Sequence, residues 1–529
     1  MDELALARAE LARLEAKAEN LLQQLLETKD AAATQRTKIN ELVRRKSALI
    51  DQLPAELLLE ILSLSIPKRS YVFQPVYEFE GRRKEKLARV SRRWRDIILG
   101  CPSLWTTIEV GSTTPSPKVY LGRSRDAPLD IIIRCRPRYG SSTHTEIDLV
   151  LENLAILITS APRWRSMAII GDVGLLPVHN PIVRKFNRLT FPSLKSVIIH
   201  PCQPFDSNNE STLLTYPDFL SQKRTPALEH MELDRYLPSE HFRTVDTLKS
   251  LKLTLFSDTS TIDRLYPRRI PTESLTTLSL AGNITTWTLL SNSIHFPVLH
   301  TLTLQVIGGK RFIEAIVVPN LKEFVYGYEP REDRVAVVFG DLVSKFDHVH
   351  RFSFSPSAIG LIRDLVVDYD DAVALSHAFP SVRHAELDLR VISPLFDNDV
   401  ESWECLESLT FDSLHNWLPE FNRLMSWLER RQQLGRPRLR LKFTSATFDI
   451  SWMQAYENDV NIFARSYEDL QKYCILELAD FLLKPNMYFS MEGDSPLKVH
   501  IPQLTSRLIN DINIAILKGN VRHSETMQF

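Results

Sequence analysis

Three hydrophobic rhythms divide this chain. From Asp2 to about residue 50 there is no proline or glycine, and apolar residues recur at heptad spacing. With Leu4 as position a, the a positions read Leu4, Leu11, Ala18, Leu25, Ala32, Ile39 and Lys46. The d positions read Ala7, Leu14, Leu21, Thr28, Gln35, Leu42 and Leu49. This spacing predicts one long helix over residues 1–50, with a coiled-coil seam weakened at its centre by Thr28 and Gln35. A homodimer seam and a lone helix folded back on its own protein are both compatible with it.

The second rhythm begins at "LPAELLLEIL", Leu53 to Leu62. On a helix, Leu57, Leu58, Leu59, Ile61, Leu62 and Leu64 sweep roughly 220° of the circumference, when about 100° covers one neighbour. Only Glu56, Glu60 and Ser63 mark a polar side. A 20-residue aromatic and basic insert (67–86) follows, then "LARVSRRWRDIILGCPSLW". There the stripe Leu87, Val90, Trp94, Ile97 and Ile98 is narrow, and Gly100 with Pro102 predicts the stop. One helix can be satisfied by one neighbour and the other cannot, so the surplus leucine face is expected to belong to a partner.

Beyond Trp105 a third rhythm sets in, apolar at i, i+3 and i+5. It runs from Trp164/Met167/Ile169 through Leu194/Val197/Ile199, Leu228/Met231/Leu233, Leu248/Leu251/Leu253 and Leu275/Leu278/Leu280. It continues through Leu299/Leu302/Leu304, Leu321/Phe324/Tyr326, Val349/Phe352/Phe354 and Val382/Ala385/Leu387 to Leu406/Leu409/Phe411. Proline stands two residues before the triplet at Pro162, Pro192, Pro226, Pro297, Pro319 and Pro380. Residues i+3 and i+5 of a short strand point to one face, so the pattern predicts stacked parallel strands, each hiding its leucines only against its neighbours. "LTTLSLAGN", Leu275 to Asn283, has the complete leucine-rich-repeat form. A stack of ordinary αβ units is the alternative. From about Ser451 on, segments such as "YEDLQKYCILELADFLL" read as helical and are expected to cap the sheet or form a tail.

At 529 residues, the chain exceeds what one compact core supports. A formal charge of −1 offers no basic field for nucleic acid or an anionic membrane. Five scattered cysteines without CxxC indicate neither zinc nor a disulfide framework, and the acidic start is no secretory signal. No apolar run reaches membrane-spanning length, so a cytoplasmic or nuclear protein is expected. The fingerprints of nucleotide, zinc and acyl-transfer chemistry are missing. "IGGKRF" (Ile307 to Phe312) reads as a turn, His348 and His350 lack further metal ligands, and "DLVVDYDD" (Asp364 to Asp371) reads as a solvated acidic face. No catalytic residue, metal or cofactor is expected.

The helical stretch resembles the F-box, through Leu53, Pro54, Glu56, Leu57, Ile61 and Leu62, then Leu87, Val90, Ser91, Trp94, Ile97, Leu104 and Trp105. A heptad helix before the box is familiar from a fungal group of F-box-like proteins. The insert replaces the family's short connecting segment. The resemblance implies an α/β protein with a long N-terminal helix (1–50), a small helical F-box (51–107), an irregular leucine-rich-repeat-like solenoid with a parallel sheet (108–450) and a C-terminal cap or tail (451–529). It implies a non-catalytic substrate receptor of an SCF-type ubiquitin ligase, docked on a Skp-type adaptor and through it a cullin scaffold. Adaptor contacts are expected from Leu53, Pro54, Glu56, Leu57, Leu58, Ile61, Leu62, Val90, Trp94, Leu104 and Trp105. Outward sheet positions, including His230, Glu232, Asp234, Glu386 and Asp388, suggest a mildly acidic concave surface for a protein substrate. A ligase-independent scaffold built on the coiled coil and repeats is the competing reading.

Overall fold

The computed structural model describes residues 3–45, 50, 53–66, 80–111, 117–135, 143–171, 182–201, 217–234, 245–255, 270–328, 334–342, 345–356, 368–387, 403–411, 417–443 and 469–478. The chain forms two compact units, Met1–Thr107 with Lys118–Ala127, and Ile108–Pro117 with Pro128–Phe529.

The first unit is helical: α1 (Glu3–Arg45), α2 (Ala55–Ser65), α3 (Glu80–Ala88), α4 (Arg92–Gly100), a 3-10 turn (Pro102–Trp105) and α5 (Pro117–Ser124). α1 has the uninterrupted Ala/Leu/Glu/Lys/Arg composition that loses least entropy in a helix. It is braced by a Glu10–Arg13 ion pair at 2.7 Å and a Gln24–Asn20 hydrogen bond at 2.9 Å. Its described side chains are exposed from Glu3 to Leu42, so α1 is not packed against the other described helices of this unit. The stripe from Leu87 to Ile98 does not form one helix. The chain turns at Arg89–Val90, and Ser91 restarts it by accepting a hydrogen bond from the Trp94 N–H at 3.1 Å. Trp105 is buried, donates its indole N–H to the Ile98 carbonyl at 2.7 Å and meets the edge of Tyr120 at 5.3 Å. The Arg123 guanidinium lies 4.3 Å over the same ring. Residues 118–127 therefore complete this unit, although their sequence position lies beyond the expected 107 boundary.

The second unit carries a 14-stranded sheet in chain order. It runs from β1 (Thr107–Val110) and β2 (Leu129–Cys135) through β3 (Trp164–Gly171), β4 (Ser196–Pro201), β5 (His230–Asp234), β6 (Ser250–Leu255) and β7 (Thr277–Asn283). It continues through β9 (Thr301–Ile307), β11 (Glu323–Tyr328), β12 (Arg351–Pro356), β13 (His384–Leu387), β14 (Ser408–Phe411) and β15 (Leu439–Phe443) to β16 (Cys474–Leu478). β8 (Ile294–His295) and β10 (Ile316–Val317) form a separate short pair. The fold is mixed α/β and solenoid-like, with parallel pairing along the sheet.

The second and third residues of all ten apolar triplets lie in consecutive strands of this sheet, the first (Trp164 excepted) stands two residues before its strand, and the thirty side chains are at most 2% exposed. The register aligns them: Met167 faces Val197, Val197 faces Met231, Leu251 faces Leu278, and Phe324 faces Phe352. The prolines have a local reason. The N–H of Leu194 bonds the Phe191 carbonyl at 3.2 Å, and Leu228–Thr225 and Leu321–Val318 repeat the arrangement, each at 3.2 Å. Pro192, Pro226 and Pro319 thus occupy the second position of a four-residue turn, where a fixed φ near −65° is already correct. A second device sets the register. The Lys195 carbonyl accepts from the N–H groups of Glu229 and His230, both at 2.9 Å, and the His300 carbonyl accepts from Lys322 and Glu323 in the same way.

The sheet also extends past the expected limits. β16 lies in the region assigned to a cap or tail, and the part of "YEDLQKYCILELADFLL" read as helical at Cys474–Leu478 is a strand. Asp371 is not solvated. It is 5% exposed, accepts from the Ala336 N–H at 2.7 Å, and closes a capping box with Asp368 at the start of the helix Tyr369–Ala378.

Behind the middle strands, Phe379 joins Phe352 at 4.4 Å, Phe346 at 5.1 Å and Phe324 at 5.2 Å between ring centroids. Phe379→Ala is expected to cost about 3–5 kcal/mol, lowering the thermal midpoint of the second unit, whereas Val337→Ala at an exposed site leaves it in place. Gly282→Ala is expected to destabilise as well. Its φ is +104°, and an added Cβ would fall 1.6 Å from the Leu255 carbonyl oxygen.

Candidate functional site

Two surfaces are candidates, one in each unit. The first is the outward side of α2. Pro54 supplies the carbonyl that starts the helix, accepting from the Leu58 N–H at 3.1 Å, and Arg93 of α4 donates to the Leu53 carbonyl just before it. Anchored in this way, α2 buries Leu58, Leu62 and Ile66, the stripe at i, i+4 and i+8. The neighbouring stripe, Leu57, Ile61 and Leu64, remains 48%, 41% and 76% exposed.

The residues expected to touch an adaptor therefore divide. Leu58, Leu62, Trp94, Leu104 and Trp105 form the interior of this unit and are not available as contacts. Sequence shows that each of these positions is apolar, not which of two apolar faces it joins. Pro54, Glu56, Leu57, Ile61 and Val90 are exposed, and Leu53 is half-buried. Leaving an aliphatic side chain wet forfeits roughly 1.5–3 kcal/mol, so three in one stripe make an unusual surface for so small a unit. The insert residues 67–79 lie outside the described residues.

The second surface is the outer side of the sheet. Alternation directs i+3 and i+5 inward, so i+2 and i+4 face out. One row runs Glu323, Arg351, His384, Ser408, Arg440 across β11 to β15, and the next includes Ser353, Glu386, Thr410 and Lys442. All of these except Ser353 line a groove of about 500 Å³. Arg351 reaches Glu323 at 3.8 Å, and His384 Nδ1 lies 2.8 Å from the Ser408 hydroxyl. Arg440 and Lys442 are exposed and have no ion pair among the described residues.

The described part of this face is not acidic. Glu232, Asp234, Glu323 and Glu386 are offset by Lys252, Arg351, Arg440 and Lys442. Glu232 is saturated locally: Lys252 donates to its carboxylate and His200 Nε2 lies 3.1 Å from Oε1. His230 is exposed at the start of β5, whereas Asp234 and Glu386 are half-buried; Asp388 lies outside the described residues. The structure thus separates His230, Glu232 and Asp234 on β5 from Glu386 on β13, with five strands between them. Sequence reasoning missed Arg440 and Lys442, because β15 has Arg438 where the repeat has its first apolar residue.

Among the described residues no cluster of His, Cys, Asp and Glu could hold a metal ion, and no helix is long and apolar enough to cross a membrane. Of the described cysteines, Cys101, Cys405 and Cys474 are free thiols, and burial pushes Cys474 up to about 12. A comparison with known proteins finds no family model and no curated relative that matches this sequence.

The Glu232 cluster makes stability depend on pH. Burial raises the carboxyl's pKa, but hydrogen bonds and charge from His200 and Lys252 outweigh it and hold the group down to about 2. An unfolded glutamate titrates at about 4.3, so the native state gains stability above that value and loses it as pH falls towards 2. Glu232→Gln is expected to lower the unfolding midpoint at neutral pH, with the gap to the native protein closing between about pH 5 and pH 2. Unfolding scans across that range check it.

Proposed function

We propose that this protein is a non-catalytic substrate receptor. Its helical unit acts as an F-box that docks on a Skp-type adaptor of a cullin-based ubiquitin ligase. Its leucine-rich-repeat-like sheet holds a protein for modification by the other subunits. The observation that carries the reading is the second face of α2: Leu57, Ile61 and Leu64 project outward while Leu58 and Leu62, one position further on, fill the interior. The Leu-Pro turn before α2, the Ser91-capped α4 and the buried Trp105 support the same resemblance. The rate gain from such a receptor is proximity, because tethering raises the effective concentration of target lysines near the charged enzyme. A scaffold without any ligase is the competing reading; the same helix would then have no adaptor to meet.

Substrate capture belongs, in this reading, to the groove around Arg351, His384, Glu386, Arg440 and Lys442, where two basic side chains have no partner within the described chain. A cytoplasmic or nuclear location follows from the ligase assignment.

Leu57→Asp and Ile61→Asp are each expected to abolish co-purification with a Skp-type adaptor while circular dichroism stays unchanged. Leu58→Asp is expected to unfold the helical unit instead. A native protein that captures no Skp-type adaptor from cell extract rejects the ligase reading in favour of the scaffold. The paired change Arg440→Glu, Lys442→Glu is expected to leave adaptor binding intact and to remove captured substrate from the precipitate, read by quantitative mass spectrometry.

A further inference from the structure

α1 is 43 residues long, about 65 Å at helical rise, and its leucines are all exposed. Heptad spacing gathers Leu4, Leu11, Leu14, Leu21, Leu25, Ile39 and Leu42 into one seam, so the occupant of that seam is another long helix. We propose that the occupant is α1 of a second copy of this chain, running antiparallel, with Leu4 packed against the partner's Leu42.

The order of side chains selects the direction. In a parallel pair each layer meets itself, which places Ala18 on Ala18 and Ala32 on Ala32, with Gln35 buried against Gln35. Run antiparallel in the stated register, Leu14 meets the partner's Ala32, Ile39 meets the partner's Ala7, and Leu21 meets the partner's Leu25. Large residues then face small ones, and all twelve seam positions from Leu4 to Leu42 are used. Thr28 faces the partner's Ala18, and its hydroxyl is already satisfied by the Gln24 carbonyl at 2.7 Å, so burying it leaves no donor unmet. Gln35 meets the partner's Leu11, the one poor layer.

The flanking charges agree. Antiparallel, Glu10 lies beside the partner's Lys38 and Glu15 beside the partner's Lys29, and each pair occurs twice by symmetry; Arg8 against the partner's Arg36 is the single repulsive match. In a parallel pair Glu10 instead faces the partner's Glu15, which cancels the attraction of Glu3 for the partner's Arg8. The paired helices would send the two chains away from opposite ends of the seam. This inference does not depend on the adaptor reading.

The test is the oligomeric state of the full chain by sedimentation and light scattering across micromolar concentrations. The native protein is expected to be a dimer. Glu10→Lys and Lys38→Glu should each raise the dissociation constant by about tenfold, since two flanking pairs turn repulsive. The double variant Glu10→Lys, Lys38→Glu should recover most of that loss, although it cannot restore the Glu10–Arg13 pair within the helix. A native monomer, a dimer tightened or unaffected by Glu10→Lys, or a double variant no better than the singles each overturns the proposal. So does a seam filled only by a different protein. Adaptor capture measured on the same variants keeps a failure here distinct from a failure of the ligase reading.

Discussion

The second unit rests on a single backbone arrangement: a carbonyl at the start of one strand accepts both of the first two N–H groups of the next. Lys195, Glu229, Lys249, Thr276, His300, Lys322, His350 and Arg383 all use their carbonyls in this way. The shared acceptor removes the freedom to slip by one residue, and a slip of one would turn every leucine to the wrong face. Parallel pairing then carries the register from strand to strand, and the interior follows as a column of Met, Val, Leu and Phe. Of the side chains at the shared-acceptor positions, Thr276 adds its hydroxyl to the Lys249 carbonyl at 3.0 Å, and six of the eight residues, all but Glu229 and Thr276, are exposed.

The same arrangement explains what could be read from the sequence. Ten strands were legible because inward positions repeat at i, i+3 and i+5 and because proline marks the turn before many of them. The flanking strands were not. β2 has a register irregularity between Leu129 and Asp130, which disturbs the spacing. At β15 the first apolar place is held by Arg438, which donates to the Cys474 carbonyl at 3.2 Å and so serves the next strand by hydrogen bonding rather than burial. β16 has the correct spacing in Tyr473, Leu476 and Leu478, but its Glu- and Leu-rich surroundings favour a helix on propensity alone, and pairing with β15 overrides that preference. The break at Val90 was hidden for a similar reason. Its apolar side chain fits a helical stripe, and only the capping role of Ser91 separates two helices there.

In the helical unit the legible fact was an excess of leucine, and the illegible one was its division. Helical spacings of three or four residues hold within each stripe of α2, and Leu57 and Ile61 precede Leu58 and Leu62 by a single position, about 100° of rotation. Burying both against one chain would need neighbours on two sides of an eleven-residue helix. The described neighbours supply one side: α4 through Trp94 and Ile98, with Arg93 fastening the turn before α2. The aromatic cluster around Trp105 draws Tyr120 and Arg123 from beyond β1 in the chain, so the interior is completed from a distance rather than by the exposed stripe.

Charge pairing decides which part of the outer sheet face can accept a new partner. At Glu232 any incoming base must displace Lys252 and His200, whose hydrogen bonds and charge hold the carboxylate's pKa down. Binding there exchanges one set of ion pairs for another and gains little. At the β15 side the balance differs. Lys442 and Arg440 are exposed and have no ion pair among the described residues, while Arg351 has a partner only at 3.8 Å. An acidic or hydroxyl-bearing segment laid across β12 to β15 would meet, in Arg440 and Lys442, donors that give up no ion pair to a described residue. Glu386, one row further along, adds a single acceptor and would reject a segment of uniform negative charge. On the proposed receptor reading, the face would discriminate by the order of charges along the segment, which a net charge near zero over the whole chain gives no means of seeing.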